Sequence, residues 1–377
     1  MKHLSYYFKD KFFKKQRKVD SLERHIHEAA NWLLYAFESS QDHGVPHCFD
    51  VKANKWWPSY PETTGYIIPT LYDYENTFKV AKARDAALKM SHWESEVQLA
   101  DGGVRAGHMG AEIIKPTIFN TGQVLFGWAR AVVEDNDEQS LKSLINASDW
   151  LVDAMDEDGA WRRFDSPFAP GKVKPYNARC AFGLIWTHKI TKDEKYLTAA
   201  INNINWVIST QTTTGWIPNN CLTKNPNALT HTIAYTMRGI LEVGDYTKNQ
   251  TFIDFAMQMA LKVLPLQNKD GSFPGRITPD WQSESNWSCI TGNSQLALNF
   301  FRLYEITGNA ELFHAAVKAN RFNMSMQDIN TNNLNIRGAL KGSHPINEQY
   351  MTYRYPNWAT KFFIDALMKE QSLTQPN

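Results

Sequence analysis

Apolar positions along the chain fall into two alternating textures. From Asn120 to Asp135 (NTGQVLFGWARAVVED), Val124, Leu125, Trp128, Ala131 and Val132 recur at helical offsets and leave little of the surface polar. Asn120 and Thr121 supply cap-forming side chains at its start. From Glu138 to Met155 the apolar stripe is narrower (Leu141, Leu144, Ile145, Ala147, Trp150, Leu151), with charges on the opposite side. Such a pair reads as a buried inner helix followed by a half-exposed outer one.

The alternation continues along the chain. It predicts inner helices over 64–78, 120–135, 177–190, 231–244, 289–306 and 358–370, and outer helices over 22–40, 82–98, 138–155, 194–210, 249–266 and 310–326. Each outer segment runs into a Gln/Asp/Gly turn. These turns are Gln41 to Gly44, Gln98 to Gly102, Asp156 to Gly159, Gln211 to Gly215, Gln267 to Gly271 and a degenerate Gln327 to Asn330. Successive turn ends lie 58, 57, 56, 56 and 59 residues apart. A period of this length marks a repeated two-helix unit. The first outer helix lacks an inner partner before it, and the last inner helix lacks an outer partner after it. Pairing these two closes a ring, so the fold expected is all-α, an (α/α)6 toroid of six helical hairpins over residues 21–372 as one domain.

Closure puts all six inner-helix amino termini at one mouth, where backbone N–H groups and positive dipole ends favour polar or anionic ligands. The loops arriving there carry Trp57, Tyr60, Trp287, Tyr355 and Trp358 beside Asn120, Gln123, Asn177, Arg354 and Asn357. Aromatic faces stack on the apolar face of a sugar ring, while amides and charges bond its hydroxyls. With 13 Trp and 15 Tyr in 377 residues, the expectation is a glycan cleft.

Glu62 is the acid at the start of an inner helix and the first candidate for proton transfer. The turn residues Asp101, Asp158 and Asp270 recur with the repeat, as residues that shape a turn do. Asp158, Asp270, Glu284 and Glu348 are possible second carboxylates, but no spacing gives the pair that glycoside hydrolysis ordinarily uses. The mouth offers instead cations, phenols and an imidazole. Arg179, His231, Tyr235, Arg238, Tyr353, Arg354, Tyr355 and Lys361 are the set. Arginine neutralising a uronate carboxylate, with His231 or Tyr235 moving the C5 proton, is the logic of a lyase or a C5-epimerase. His231, Tyr235 and Arg238 share one helix face by their spacing.

Net charge is +1, from 40 basic and 39 acidic residues, which excludes a general attraction to nucleic acid. Cys48, Cys180, Cys221 and Cys289 lie far apart and read as reduced thiols. No metal or nucleotide motif occurs, so no cofactor is expected. Residues 1–20 form a separate arm with seven Lys/Arg and two Asp interleaved with aromatics. It reads either as a solvated arm packing on the body or as a peripheral membrane or partner contact. Without a secretory signal or an apolar run of membrane-spanning length, a cytoplasmic location is expected.

Turns of the form Gln-x-x-Asp-Gly between helices resemble those of toroid proteins. That group includes six-hairpin glycosidases, polysaccharide lyases, the helical domain of glucuronyl C5-epimerases and the terpene cyclases. The stretches YPETTGYIIPTL (60–71), FNTGQVLFGW (119–128), YNARCAFGL (176–184), LTHTIAYTMRGILE (229–242) and YPNWATKFFIDAL (355–367) more specifically resemble bacterial proteins encoded with surface-polysaccharide genes. The terpene-cyclase branch fits poorly, because neither a DxDD nor a DDxxD cluster occurs. The mouth residues and this resemblance together lead to the expectation of an enzyme acting on a bacterial, acidic polysaccharide or oligosaccharide, of lyase, epimerase or hydrolase type. The alternative is a non-catalytic glycan-binding or assembly protein of a polysaccharide export system.

Overall fold

The computed structural model describes residues 19–169 and 173–374. The arm over 1–18 lies outside the described residues. Outer helices are α1 (Leu22–Glu38), α3 (Ala81–Val97), α5 (Glu138–Asp153), α7 (Glu194–Ser209), α9 (Gln250–Val263) and α11 (Ala310–Met326). Inner helices are α2 (Pro61–Phe78), α4 (Ile118–Asp135), α6 (Ala178–Thr191), α8 (Thr230–Thr247), α10 (Ile290–Thr307) and α12 (Asn357–Thr374). Each inner helix packs on the next, and α12 packs on both α1 and α2, so the ring closes as the unpaired ends require. The fold is an (α/α)6 toroid.

Outer and inner helices begin differently. In α1, α5, α7, α9 and α11 the residue before the helix (Ser21, Asp137, Asp193, Asn249, Asn309) accepts a first-turn N–H with its side chain. Helices α2, α4, α6, α8 and α10 have no such cap. Loop carbonyls take that place at several starts. Thr230 N–H donates to Gly275 O at 3.1 Å, Ile290 N–H to Gly342 O at 3.1 Å and Asn357 N–H to His47 O at 3.2 Å. These bonds pin the long loops over the mouth. They also use up some of the donors that the sequence reading offered to a ligand.

Inner helices touch through glycine. A Cβ on Gly65 would stand 2.6 Å from the Cα of Val124, and one on Gly239 would run into the Ala178 carbonyl. Gly65→Ala must therefore push α2 from α4, and overpacking of this kind costs about 1–3 kcal/mol. Urea denaturation should show that loss; a variant as stable as wild type would mean the helices separate freely.

The recurring turn glutamine is a clasp. Gln98 Nε2 donates to Gly102 O in its own turn (2.9 Å) and to Ser143 O in α5 (3.0 Å). Gln267 likewise bonds Gly271 O (3.2 Å) and Ala315 O in α11 (2.8 Å). Gln327 bonds Gly338 O (2.7 Å) and His25 O in α1 (3.2 Å), so the last turn is clasped to the first outer helix. The sixth turn is thus expanded rather than degenerate: Gly338, at φ +82°, takes the place that Gly102 (φ +94°) and Gly271 (φ +93°) hold in theirs.

Short strands knit the mouth loops. β1 (Cys48–Asp50) pairs antiparallel with β2 (Lys55–Trp56) and with β7 (Arg354–Pro356), joining the first loop to the last. β3 (Ala228–Leu229) pairs with β4 (Arg276–Ile277), and β5 (Ser288–Cys289) with β6 (Ser343–His344).

Candidate active site

The lumen is layered, and the layers follow from helix register. Inner helices α2, α4, α6, α8 and α10 end at left-handed caps, Lys79, Asn136, Lys192, Lys248 and Gly308. Seventeen residues before each cap stand Glu62, Phe119, Pro175, His231 and Thr291, at the mouth. Thirteen before stand Tyr66, Gln123, Arg179, Tyr235 and Gln295, one turn deeper. Phe362 of α12 completes this second layer, with ring centroids 5.4 Å from Tyr66 and 5.9 Å from Tyr235. All six side chains are buried. They form a plug across the ring.

Above the plug is an aromatic wall built by the joined first and last loops. The His47 ring lies 5.6 Å from Trp57 in a stacked arrangement, 5.1 Å from Tyr60 and 4.8 Å edge-on from Trp358. His108 meets the Trp57 ring at 5.3 Å. The Arg354 guanidinium sits 4.5 Å over Trp57 and 3.2 Å from Asp50, a cation–π contact anchored by an ion pair. Trp57 and Tyr60 are half-buried, so part of each face is left for a ligand.

Glu62 lies on the floor of this cleft. Tyr60 Oη donates to its Oε2, and Oε1 has no bond among the described residues. The side chain is walled by protein yet keeps solvent contact. Burial raises its carboxyl from 4.5 to about 7, against the opposing bond from Tyr60. A group whose folded pKa is raised is held preferentially protonated. Its contribution to stability is therefore full below about 4.5 and is lost as pH rises through about 7. Glu62→Gln removes that titration, so the variant should gain melting temperature relative to wild type between those values. A constant difference across the range would contradict the raised pKa.

His231 faces the same cleft. Its Nδ1 lies 2.7 Å from Gln295 Oε1, an acceptor, so the ring proton sits on Nδ1 and Nε2 carries the lone pair. Burial lowers its pKa to about 4, so the ring is neutral at pH 7. The Tyr235 ring packs 4.5 Å from His231. The bond to Gln295 and this ring contact fix the orientation of the imidazole from below. The Tyr350 ring flanks it at 5.4 Å, and Tyr350 Oη accepts from Trp358 Nε1 at 2.9 Å.

The rim carries buried cations that have no carboxylate within ion-pair distance among the described residues. Arg105 bonds the Ala111 carbonyl (2.7 Å) and leaves Nε unpartnered. Lys174 bonds the Cys221 carbonyl at 3.2 Å. Arg276 bonds the Asn227 carbonyl at 2.9 Å and Gln349 Oε1 at 3.2 Å. Asp165, raised to about 6 chiefly by burial, acts on Lys174 and on the Tyr176 phenol, which also feels Glu62.

The structure brings Trp57, Tyr60, Glu62, His231, Arg354 and Trp358 together at the mouth. It does not bring Arg179, Tyr235 or Arg238 there. Arg179, Tyr235 and Gln123 belong to the plug, and Arg238 lies below it, paired with Glu242 at 2.7 Å. Helix register is the reason: each stands thirteen residues or fewer before its helix's carboxyl-terminal cap, a turn or more deeper than Glu62. Trp287 is packed flat over Gly275, where a Cβ would collide with its ring carbons, and Tyr355 is a buried strand residue of β7. Asn120 Nδ2 donates to Arg105 O (2.8 Å) and Asn357 Nδ2 to Pro46 O (2.9 Å), so both amides hold loops down. Asn177 is buried in the turn before α6. Asp101, Asp158 and Asp270 each accept a backbone N–H two residues on within their turns, at 3.0, 3.2 and 3.0 Å. Glu284 is exposed on its loop.

Sequence reasoning passed over His47, His108, Arg105, Arg276 and Asp165, and gave Lys174 and Tyr350 no role beyond a place in the mouth loops. Their one available signal was position in the long loops between a Gly turn and the next inner helix.

No protein-family profile matches the chain, and no curated protein matches its sequence significantly. Solved structures do. The chain is similar to an unsaturated glucuronyl hydrolase specific for heparin, at 16% identity and a TM-score of 0.75, covering 94% of this chain and 98% of that one. It is similar to D-mannose isomerase at 12% identity and a TM-score of 0.73, covering 93% and 97%. A third likeness is cellobiose 2-epimerase from Bacillus thermoamylovorans, at 10% identity and a TM-score of 0.70, covering 86% and 92%. At such identities the likeness establishes the (α/α)6 fold.

Proposed function

We propose that the protein is a carbohydrate-processing enzyme that transfers protons on an acidic sugar chain held in the mouth. One observation carries this reading: a half-open carboxyl poised near pH 7 shares the cleft layer with a neutral imidazole whose free Nε2 is fixed in direction. Solved toroids of the same shape include a glucuronyl hydrolase, a mannose isomerase and a cellobiose epimerase, which supports sugar as the substrate class. Trp57 and Tyr60 offer stacking faces, with Trp358 buried behind them. Arg105, Lys174, Arg276 and Arg354 supply the positive field that neutralises a uronate, and so acidifies its C5 proton.

The pKa shifts of the two groups support a division of roles. Glu62 protonated with His231 neutral is the dominant state between pH about 4 and about 7. The reverse pairing, glutamate with imidazolium, is the minor state, since burial holds the Glu62 carboxyl up and the His231 imidazole down. His231 is therefore the base that takes the C5 proton. Glu62 is the acid that delivers one, either to the leaving oxygen (a lyase) or to the opposite face of C5 (an epimerase). The kcat/KM profile should rise through about pH 4, stay flat, and fall through about pH 7.

Hydrolysis is the second reading, favoured by Asp165, a second acid of raised pKa whose charge, like that of Glu62, acts on Tyr176. Incubating the protein with uronate-containing and neutral polysaccharides in D2O separates these readings. Absorbance of an unsaturated uronate marks a lyase, deuterium at C5 marks an epimerase, and new reducing ends without either mark a hydrolase. Binding of acidic glycans with none of the three products would leave a glycan-binding protein instead. Equal action on neutral glycans would remove the uronate assignment.

A further inference from the structure

Beneath the plug the lumen opens again, towards the carboxyl ends of the inner helices. A cavity of about 440 Å³ runs from Arg179, Tyr235 and Gln295 in the plug to Asp73, Lys369 and Ser372 at the far rim. Neither Glu62 nor His231 lines it. Its charges are mostly matched. Arg302 pairs with Glu242 at 2.9 Å and Asp245 at 2.9 Å, Arg130 with Asp73 at 2.6 Å, and Lys369 with Glu305 at 2.6 Å. Lys361 Nζ lies against the Asp365 carboxylate.

Arg179 is the exception. It is 7% exposed, forms no ion pair or hydrogen bond among the described residues, and its Nε is buried without a partner. Ring faces flank it, with Phe126 at 4.5 Å, Phe182 at 5.2 Å and Tyr235 at 6.0 Å, while Arg238, Glu242 and Asp365 act on it without coming within ion-pair distance. A buried guanidinium without an anion is costly, and its planar fork suits a carboxylate through two parallel bonds. The cavity wall supplies Asn76, Thr77, Asn299 and Ser372, which match hydroxyls, and Phe362 and Leu298, which match a ring face.

We propose that this rear cavity binds a small hydroxylated monocarboxylate, a monosaccharide acid, with its carboxylate on Arg179. The site is separate from the mouth, since the buried plug lies between them, and its existence does not depend on the reaction assigned to Glu62. One negative charge is the number the cavity lacks, which favours a sugar acid over a neutral sugar or a doubly charged phosphate.

Titration calorimetry on the whole protein with glucuronate, glucose and inorganic phosphate tests this. Glucuronate should bind wild type with a component that Arg179→Met weakens roughly 100-fold or more, the loss expected for a pair of charge-assisted bonds. Ser372→Trp, which fills the exposed rim, should weaken it comparably while leaving Glu62-dependent turnover unchanged. Trp57→Ala, in the mouth, should leave this component intact. Arg179→Met should also melt higher than wild type without ligand, because an unpaired buried charge is gone, and should no longer be stabilised by glucuronate. Should Arg179→Met not fold, the Ser372→Trp and Trp57→Ala pair still decides. Glucuronate binding that survives Ser372→Trp, or that Trp57→Ala abolishes, overturns the site. Glucose or phosphate binding there as tightly as glucuronate overturns the sugar-acid assignment.

Discussion

Glu62→Gln should cost about 10²–10⁴ in turnover while leaving sugar binding near the wild-type level. The amide keeps the size and planar shape of the carboxyl, and Tyr60 Oη can still donate to its oxygen as it does to Oε2. What disappears is the proton, which a carboxyl raised to about 7 holds at neutral pH and an amide cannot deliver. The effect should fall on kcat rather than on KM, because the lost interaction exists only while the proton moves. The high-pH limb of the profile should vanish with it. Folding is not endangered, since the substitution removes a carboxyl whose ionisation opposes the native state. Full activity in the variant would reduce Glu62 to a helix-start residue and hand the acid role to another group.

Deleting residues 358–377 should leave no cooperative unfolding transition at all. The deletion removes nearly all of α12, whose Trp358, Phe362, Phe363, Ile364 and Leu367 are buried against α1, α2 and α10. Fully burying side chains of this size is worth about 1.5–3 kcal/mol each, so five carry roughly 7–15 kcal/mol. That range matches the whole net stability of an ordinary domain. An open superhelix would lose only its end repeat and still melt cooperatively. A sigmoidal thermal melt near the wild-type temperature would therefore be fatal to the closed ring.

Much of this fold could be read from periodicity, because a repeat averages over local accidents. The inner and outer helices begin and end within a few residues of where apolar spacing puts them. The sixth turn is where motif reading fails. An insertion carries the glycine from the expected place to Gly338, yet Gln327 still makes both clasp bonds. Spacing was lost there while the physical role was kept.

The site was less legible, for a reason of depth. Loop order identifies which residues approach the mouth, and Glu62, His231, Trp57 and Trp358 do lie there. Whether a side chain one turn further on faces the mouth or the plug depends on helix register. That register is set by the carboxyl-terminal caps, not by the loop before the helix. Arg179 is the second residue of α6, as Glu62 is of α2, so its distance from the helix start sets it too high. Counting back from Lys192 and Lys248 puts Arg179 one layer and Arg238 two layers below Glu62. The rim cations Arg105, Lys174 and Arg276 sit in loops of irregular length, where no periodicity indicates direction.

The glutamine clasp has a topological consequence. Because Gln327 ties the last turn to α1 as Gln98 and Gln267 tie theirs to α5 and α11, neighbouring repeats are held together without regard to which of them contains the chain ends. The break between α12 and α1 falls at a junction of the same kind as the tight ones at Asn136-Asp137 and Lys192-Asp193, at the far end from the mouth. Linking the present ends and opening the chain at Asn136-Asp137 would yield a circular permutant with the same ring, the same mouth and the same plug. Sequence order in this molecule is a choice of starting point on a closed loop.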